Sequence, residues 1–134
     1  MKKDINFLPV EGVQIVVARK ENETGGYDWQ VFLINQNDVP IKTVFVTSKG
    51  YGQKNEQEQK TSTLRHFFVE VKPGAYEVVE TIMPDVFHLN NEYWVSYFIG
   101  NQIFDKKFIF VPDSIVEANL VTVPALGLEG ILHD

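Results

Sequence analysis

The feature that most limits the fold of this chain is a series of short runs rich in Val, Ile, Phe, Tyr and Trp, at 13–19, 29–35, 42–48, 64–71, 76–82, 92–99 and 102–111. Runs of this length are strand length, and β-branched and aromatic side chains suit a pleated, half-buried surface. None carries the 3.6-residue period of a long amphipathic helix. The segments between them hold turn chemistry: Gly25-Gly26, Asn37-Asp38 before Pro40, and Pro73-Gly74. Gly100-Asn101 leaves only two residues between neighbouring runs, the spacing of a tight hairpin. Successive strands therefore pair mainly antiparallel. The expectation is an all-β chain, an antiparallel two-sheet sandwich of about seven strands, immunoglobulin-like in arrangement although the Cys…Trp…Cys hallmark is missing. At 134 residues the chain has the length of one ordinary domain, 1–134, with an N-terminal arm at 1–12 and an apolar tail at 112–134.

Simple alternation fails in two of the runs. Trp29, Val31 and Leu33 take one side of their strand while Phe32 and Ile34 take the other, and Trp94 and Phe98 oppose Tyr93, Val95, Tyr97 and Ile99. An antiparallel sheet with one wet face does not need apolar residues on both sides. Something covers the second faces: a partner subunit, a ligand or the termini themselves. The termini suit that task, with Ile5, Phe7, Leu8 and Val10 at one end and Ile115 to Leu132 rich in Leu, Val and Ile at the other. Ser114 and Glu117 have the spacing of a capping box, which predicts one helical turn after the last strand, followed by an extended tail interrupted by Pro124 and Gly127. The polar stretch 49–63, with Tyr51 as its one large anchor, reads as a solvated hairpin extension.

Charge and composition narrow the partners. Twelve basic against eighteen acidic residues give a net charge of -6, so phosphate backbones find no overall attraction and no nucleic acid is expected. With no cysteine there are no disulfides, thiolate metal ligands or thiol nucleophiles, which points toward the cytoplasm. Asp4, Asn6, Pro9 and Glu11 interrupt any apolar core of a signal peptide, and no stretch approaches a membrane span.

The chemistry-bearing residues are sparse. His66, His88 and His133 have no metal-ligand spacing, so neither metal nor other cofactor is expected, and His66 reads as an ordinary strand histidine. Gly50-Tyr51-Gly52 lacks the third glycine of a dinucleotide fingerprint, and no phosphate loop or nucleophile elbow is present. Asp85, His88 and Glu92 make an acid–base site only if they converge in a cleft. The densest feature is aromatic: Tyr93, Trp94, Tyr97, Phe98, Phe104, Phe108 and Phe110 form a platform if they face outward and a core if they do not.

The segments WQVFLIN (29–35), KTSTLRHFF (60–68), VFHLNNEYWVSY (86–97) and FDKKFIFVPDSI (104–115) resemble a family of small bacterial all-β proteins of this length, some labelled phenylalanyl-tRNA synthetase alpha subunit. The resemblance covers nearly the whole chain and implies no site residues. A synthetase alpha subunit needs an ATP site and a large mixed α/β catalytic domain, so what the label implies here is at most an accessory β domain linked to a synthetase. The residues themselves lead to a non-catalytic binding or assembly domain that forms a homodimer, with Tyr51, Tyr93, Trp94, Tyr97, Leu126 and Leu128 as the interface or ligand residues. The alternative is a small-ligand module whose concave pocket holds at least two of Tyr51, Tyr93, Trp94 and Tyr97.

Overall fold

Each of the seven apolar runs is a strand in the computed structural model, which describes Leu8 and residues 10–134. Three further strands bring the total to ten: β1 Val13–Glu21, β2 Tyr27–Asn35, β3 Ile41–Lys54, β4 Gln57–Lys60, β5 Leu64–Val71, β6 Tyr76–Thr81, β7 Asn90–Ile99, β8 Gln102–Phe110, β9 Val121–Val123 and β10 Leu128–His133. β4 is the return strand of the hairpin extension expected at 49–63. The strands β9 and β10 lie in the segment read as an extended tail. Ile5 and Phe7 lie outside the described residues, so of the apolar N-terminal arm only Leu8 and Val10 are placed; Leu8 bridges to Phe104 at the β8 edge.

Two antiparallel sheets result. One has the order β6-β2-β1-β10-β9; in the other, β8 pairs β7, β7 pairs β3, and β3 carries β5 and then β4 along its far edge. Their facing sides meet in one core built from Val13, Ile15, Val17, Val31 and Leu33 on the first sheet and Val44, Val46, Tyr93, Val95, Tyr97, Phe108 and Phe110 on the second. Along the regular stretches of the facing strands every second side chain points inward, as the pleat requires. The Gly100-Asn101 hairpin forms as expected, with Gly100 in the left-handed region and Ile99 opposite Gln102. The 49–63 stretch extends β3 and returns as the solvent-exposed β4 through Asn55 and Glu56, both at positive φ.

The C-terminal segment, one of the covers that the apolar pattern allows, lies on its own chain. β10 pairs with β1 over Ile15 to Arg19, and β9 pairs with β10, so the segment completes the first sheet within the same chain. Val123, Leu126 and Leu128 then close over Val16, Ala18, Phe32 and Ile34 on the sheet's outer side. The reason is local: an open β1 edge would leave a row of backbone donors and acceptors unpaired, and the tail satisfies them. The helical turn after β8 is a single 3₁₀ turn at Glu117–Asn119. The capping box does not form, because Ser114 Oγ donates to the Val111 carbonyl instead. Arg19 ties this region down with a two-pronged contact to Glu117, a hydrogen bond to Glu129 and its guanidinium 3.9 Å from the Tyr27 ring centroid. Among the described residues no helix is long and apolar enough to cross a membrane.

Candidate functional site

Two places combine exposed or enclosed space with unusual chemistry. The first is a cleft of about 410 Å³ at one end of the sandwich, lined by residues of β3, β6 and β7, by the 61–64 segment and by the 3₁₀ turn Pro84–Val86. Its centre is Glu80. Unbroken alternation along β6 would send Glu80 to the outer side with Tyr76 and Val78, but β6 spends one extra residue between Val78, opposite Phe32, and Glu80, opposite Val31. This bulge at Val79 turns Glu80 toward the second sheet.

There the carboxylate finds three partners from three strands. Ser48 Oγ on β3 donates to Glu80 Oε1 at 2.7 Å, and His66 Nε2 on β5 lies 2.7 Å from the same oxygen. Tyr93 OH on β7 donates to Oε2 at 3.2 Å. A carboxylate removed from water is costly unless hydrogen bonds replace its hydration, and these three supply that replacement. Burial, with the charge of Glu80 and the bond to it adding in the same direction, pushes the Tyr93 phenol far above the ordinary tyrosine range, so it stays a donor. His66 is thus more than an ordinary strand histidine. The serine and imidazole both address the carboxylate rather than each other, so the order of a nucleophile–base–orienter relay is not built here.

Asn91 adds a second polar feature to the same cleft. Its side chain lines the space and is 5% exposed. Both amide protons are committed, to the carbonyls of Val86 and Leu89, which fixes the orientation of the group. The Oδ1 atom accepts nothing among the described residues and lies 3.5 Å from where a side chain on Gly50 would begin. Leu64, Ile82, Met83 and Val86 form apolar walls, and Asp85 adds a second carboxylate.

The second place is the outer face of β5-β3-β7-β8. Phe45, Phe67 and Trp94 stand out of it at 50%, 52% and 45% exposure, and Phe45 and Phe67 lie 4.9 Å apart, ring to ring. Val69, Phe98, Ile103 and Ile109 share or border that face, as their registers with the neighbouring strands place them. Charges of both signs ring the aromatic centre: Lys42 opposite Glu70, Lys49 with Glu92 at 3.8 Å, Lys107 beside Asp105, and Arg65. Trp94 Nε1 donates to Asp105, and the Lys107 ammonium sits 4.9 Å from the Trp94 ring centroid.

The residues singled out from the sequence divide sharply. Tyr93 and Tyr97 are 2% and 1% exposed, core residues rather than platform, as are Phe108 and Phe110. Tyr97 stacks on Phe104 at 5.1 Å. Leu126 and Leu128 pack on their own sheet. Tyr51 lines a shallow hollow with β4, and its hydroxyl donates to Glu92; Trp94 alone of the six is strongly outward. Three of the four line different hollows: Tyr93 the inter-sheet cleft, Tyr51 the hollow with β4 and Trp94 a shallow one on the outer face. Asp85, His88 and Glu92 also part: Asp85 faces the inter-sheet cleft, His88 meets Gln59 on β4, and Glu92 meets Tyr51 and Lys49 on the outer face. Sequence reading passed over Glu80, Ser48, Phe45 and Phe67. Among the described residues no group of three or more His, Asp or Glu side chains is placed to hold a metal. Compared with known proteins, the chain matches no family model, no curated protein and no solved structure.

Proposed function

We propose that this protein is a β-sandwich binding and assembly module that pairs with a second copy of itself through the outer face of β5-β3-β7-β8, acting without catalysis in the cytoplasm. The observation that carries the reading is the Phe45, Phe67 and Trp94 cluster at the middle of that face. A monomer gains nothing by holding three large rings in water at the centre of a regular sheet. An apolar centre with a charged rim is the anatomy of a protein–protein interface. The rim suits a second copy as the occupant, because a surface that carries both signs can be complementary to itself about a two-fold axis. Four strands about 4.8 Å apart and roughly eight residues long give a face on the order of 500 Å² in projection. That is below the roughly 800 Å² per partner of a standard interface, the size range of weak or transient pairing. The apolar tail has no part in it.

The strand layout also supports an immunoglobulin-like reading. β6-β2-β1 facing β5-β3-β7-β8 is a seven-strand frame, to which β9 and β10 are appended beside β1 and β4 beyond β5. Stacking of a flat ligand on Trp94 is the weaker alternative, since Lys107 already stands near the indole.

Sedimentation velocity tests the assembly. The wild-type chain is expected to shift from monomer to dimer between about 1 and 100 µM, and the Phe45→Ser/Trp94→Ser double variant to remain monomeric throughout. A wild-type chain that stays monomeric at the top of that range overturns the proposal.

A further inference from the structure

We propose that the cleft between the two sheets binds a small primary amine, with the ammonium group held by Glu80, Asp85 and Asn91 and a short apolar chain lying against Leu64, Ile82, Met83 and Val86. The site is separate from the outer face that mediates self-association.

The charge balance selects the ligand's head group. Two carboxylates, Glu80 and Asp85, line the cleft. Among the described lining residues the lysine is Lys49, which directs its ammonium to Glu92 and the Tyr51 ring instead, and the His66 ring meets Glu80 from the β5 side. An anion therefore meets two like charges there, whereas a cation meets two opposite ones in a partly desolvated space where such interactions gain strength.

Hydrogen-bond inventory narrows this to an ammonium. Glu80 has spent three of about four acceptor positions on Ser48, His66 and Tyr93, which leaves it oriented with one to give. Asn91 presents an acceptor that nothing among the described residues fills, on a side chain locked by its two donated bonds. Asp85 supplies a further acceptor on the rim. Free acceptors thus outnumber free donors, and a primary ammonium brings three N–H donors and no acceptor. A hydroxyl brings one donor and leaves the charge unmet.

Size and walls fix the remainder. A space of about 410 Å³ is at the small end of ligand pockets. Gly50 contributes to the lining without a side chain, and a methyl there would come within 3.0 Å of the Thr61 methyl. Apolar groups on the opposite wall favour an alkyl chain over a second polar end.

Methyl-resolved NMR of the intact chain at pH 8 and constant ionic strength, titrated with n-butylammonium chloride, tests the site. Ile82, Val86, Leu64 and Met83 methyl signals are expected to shift saturably at millimolar probe. n-Butanol and butyrate are expected to bind at least ten-fold more weakly. Glu80→Gln should weaken butylammonium ten-fold or more, and Asp85→Asn, on an exposed turn outside the core, should do so several-fold while leaving the fold intact. Nα-acetyl-lysine methylamide, a lysine side chain on a peptide, is expected to bind more weakly than butylammonium because its backbone exceeds the cleft. Shifts that do not saturate, that are equal for butyrate or butanol, or that survive both substitutions overturn the proposal, as does tighter binding of the lysine peptide analogue.

Discussion

Gly130 shows how tightly single positions are constrained here. It lies in β10 opposite Ala18, and a Cβ there would stand 2.9 Å from both Val16 Cγ1 and the Val17 carbonyl oxygen. One of the contacts is backbone, so relief requires a strand to move; Gly130→Ala is expected to cost roughly 1–3 kcal/mol in urea unfolding. Gly26→Ala, where the nearest atoms are at ordinary contact distance of 3.7 Å, is the near-neutral control. The two core tyrosines make a similar contrast. Tyr93→Phe removes a donor from the buried Glu80 carboxylate and should destabilise by about 1–3 kcal/mol. Tyr97 holds a buried hydroxyl with no hydrogen-bond partner among the described residues, so Tyr97→Phe should be neutral or stabilising. Burial, aided by the negative charge of Glu11, pushes the Tyr97 phenol up to about 12. An unfolded tyrosine releases its proton near pH 10. Between those values the unfolded chain binds fewer protons than the folded one, so stability falls as pH rises through that window. Tyr97→Phe should remove its own share of that alkaline loss and leave the share of Tyr93, whose phenol is also pushed up, measurable as urea midpoints from pH 9 to 12.

At the scale of elements, the strands were legible because turn residues and β-branched runs are local signals. What the runs do not carry is which face becomes core. Around β3, Val44 and Val46 flank Phe45, and either face is apolar enough to be buried. The structure sends the valines inward and leaves the larger Phe45 out, while Thr43 at positive φ shifts the register against β7. Glu80 was hidden by the same kind of device, since a bulge is a register difference between two strands and neither strand's residues state it alone. The partners His66, Ser48 and Tyr93 reach it only across the sandwich. The apolar C-terminal segment is legible as a cover for a second face, but not as two strands of the first sheet. Its role depends on β10 reaching β1 from over 100 residues away in sequence, and pairing at that distance leaves no local mark. If the hairpin of β9 and β10 seals the outer side of the first sheet, Val123→Ala should lower stability by about 1–3 kcal/mol, since it removes two buried methyl groups over Val16 and Phe32. Val121→Ala, at 52% exposure on the same strand, should change it by less than about 0.5 kcal/mol. Equal effects at the two positions would show that the hairpin is not packed as a lid.

For the whole molecule, the two sheets have opposite fates. The chain's own end closes the outer side of the first over Val16, Ala18, Phe32 and Ile34, leaving Tyr76 and Val78 exposed at the β6 edge, whereas the outer side of the second keeps Phe45, Phe67, Val69 and Trp94 in solvent at its middle. If a second copy pairs on that face, as proposed, assembly is coupled to folding, because a dimer of folded chains is favoured by mass action while unfolded chains are not paired. Thermal midpoints of the wild-type chain should then climb with protein concentration across the range in which dimers form, by a few degrees from about 1 to 100 µM for a domain of this size. The Phe45→Ser/Trp94→Ser variant should lose the slope without losing the midpoint found for wild type at the lowest concentration, since both side chains are half exposed in the monomer and contribute little to its core. A midpoint that stays flat for wild type counts against association altogether, and a slope that persists in the variant places it on another surface. Salt provides a second discriminator: the rim is built of cross-strand charge pairs, so raising ionic strength should weaken its contribution while the aromatic centre persists, leaving a reduced slope rather than none.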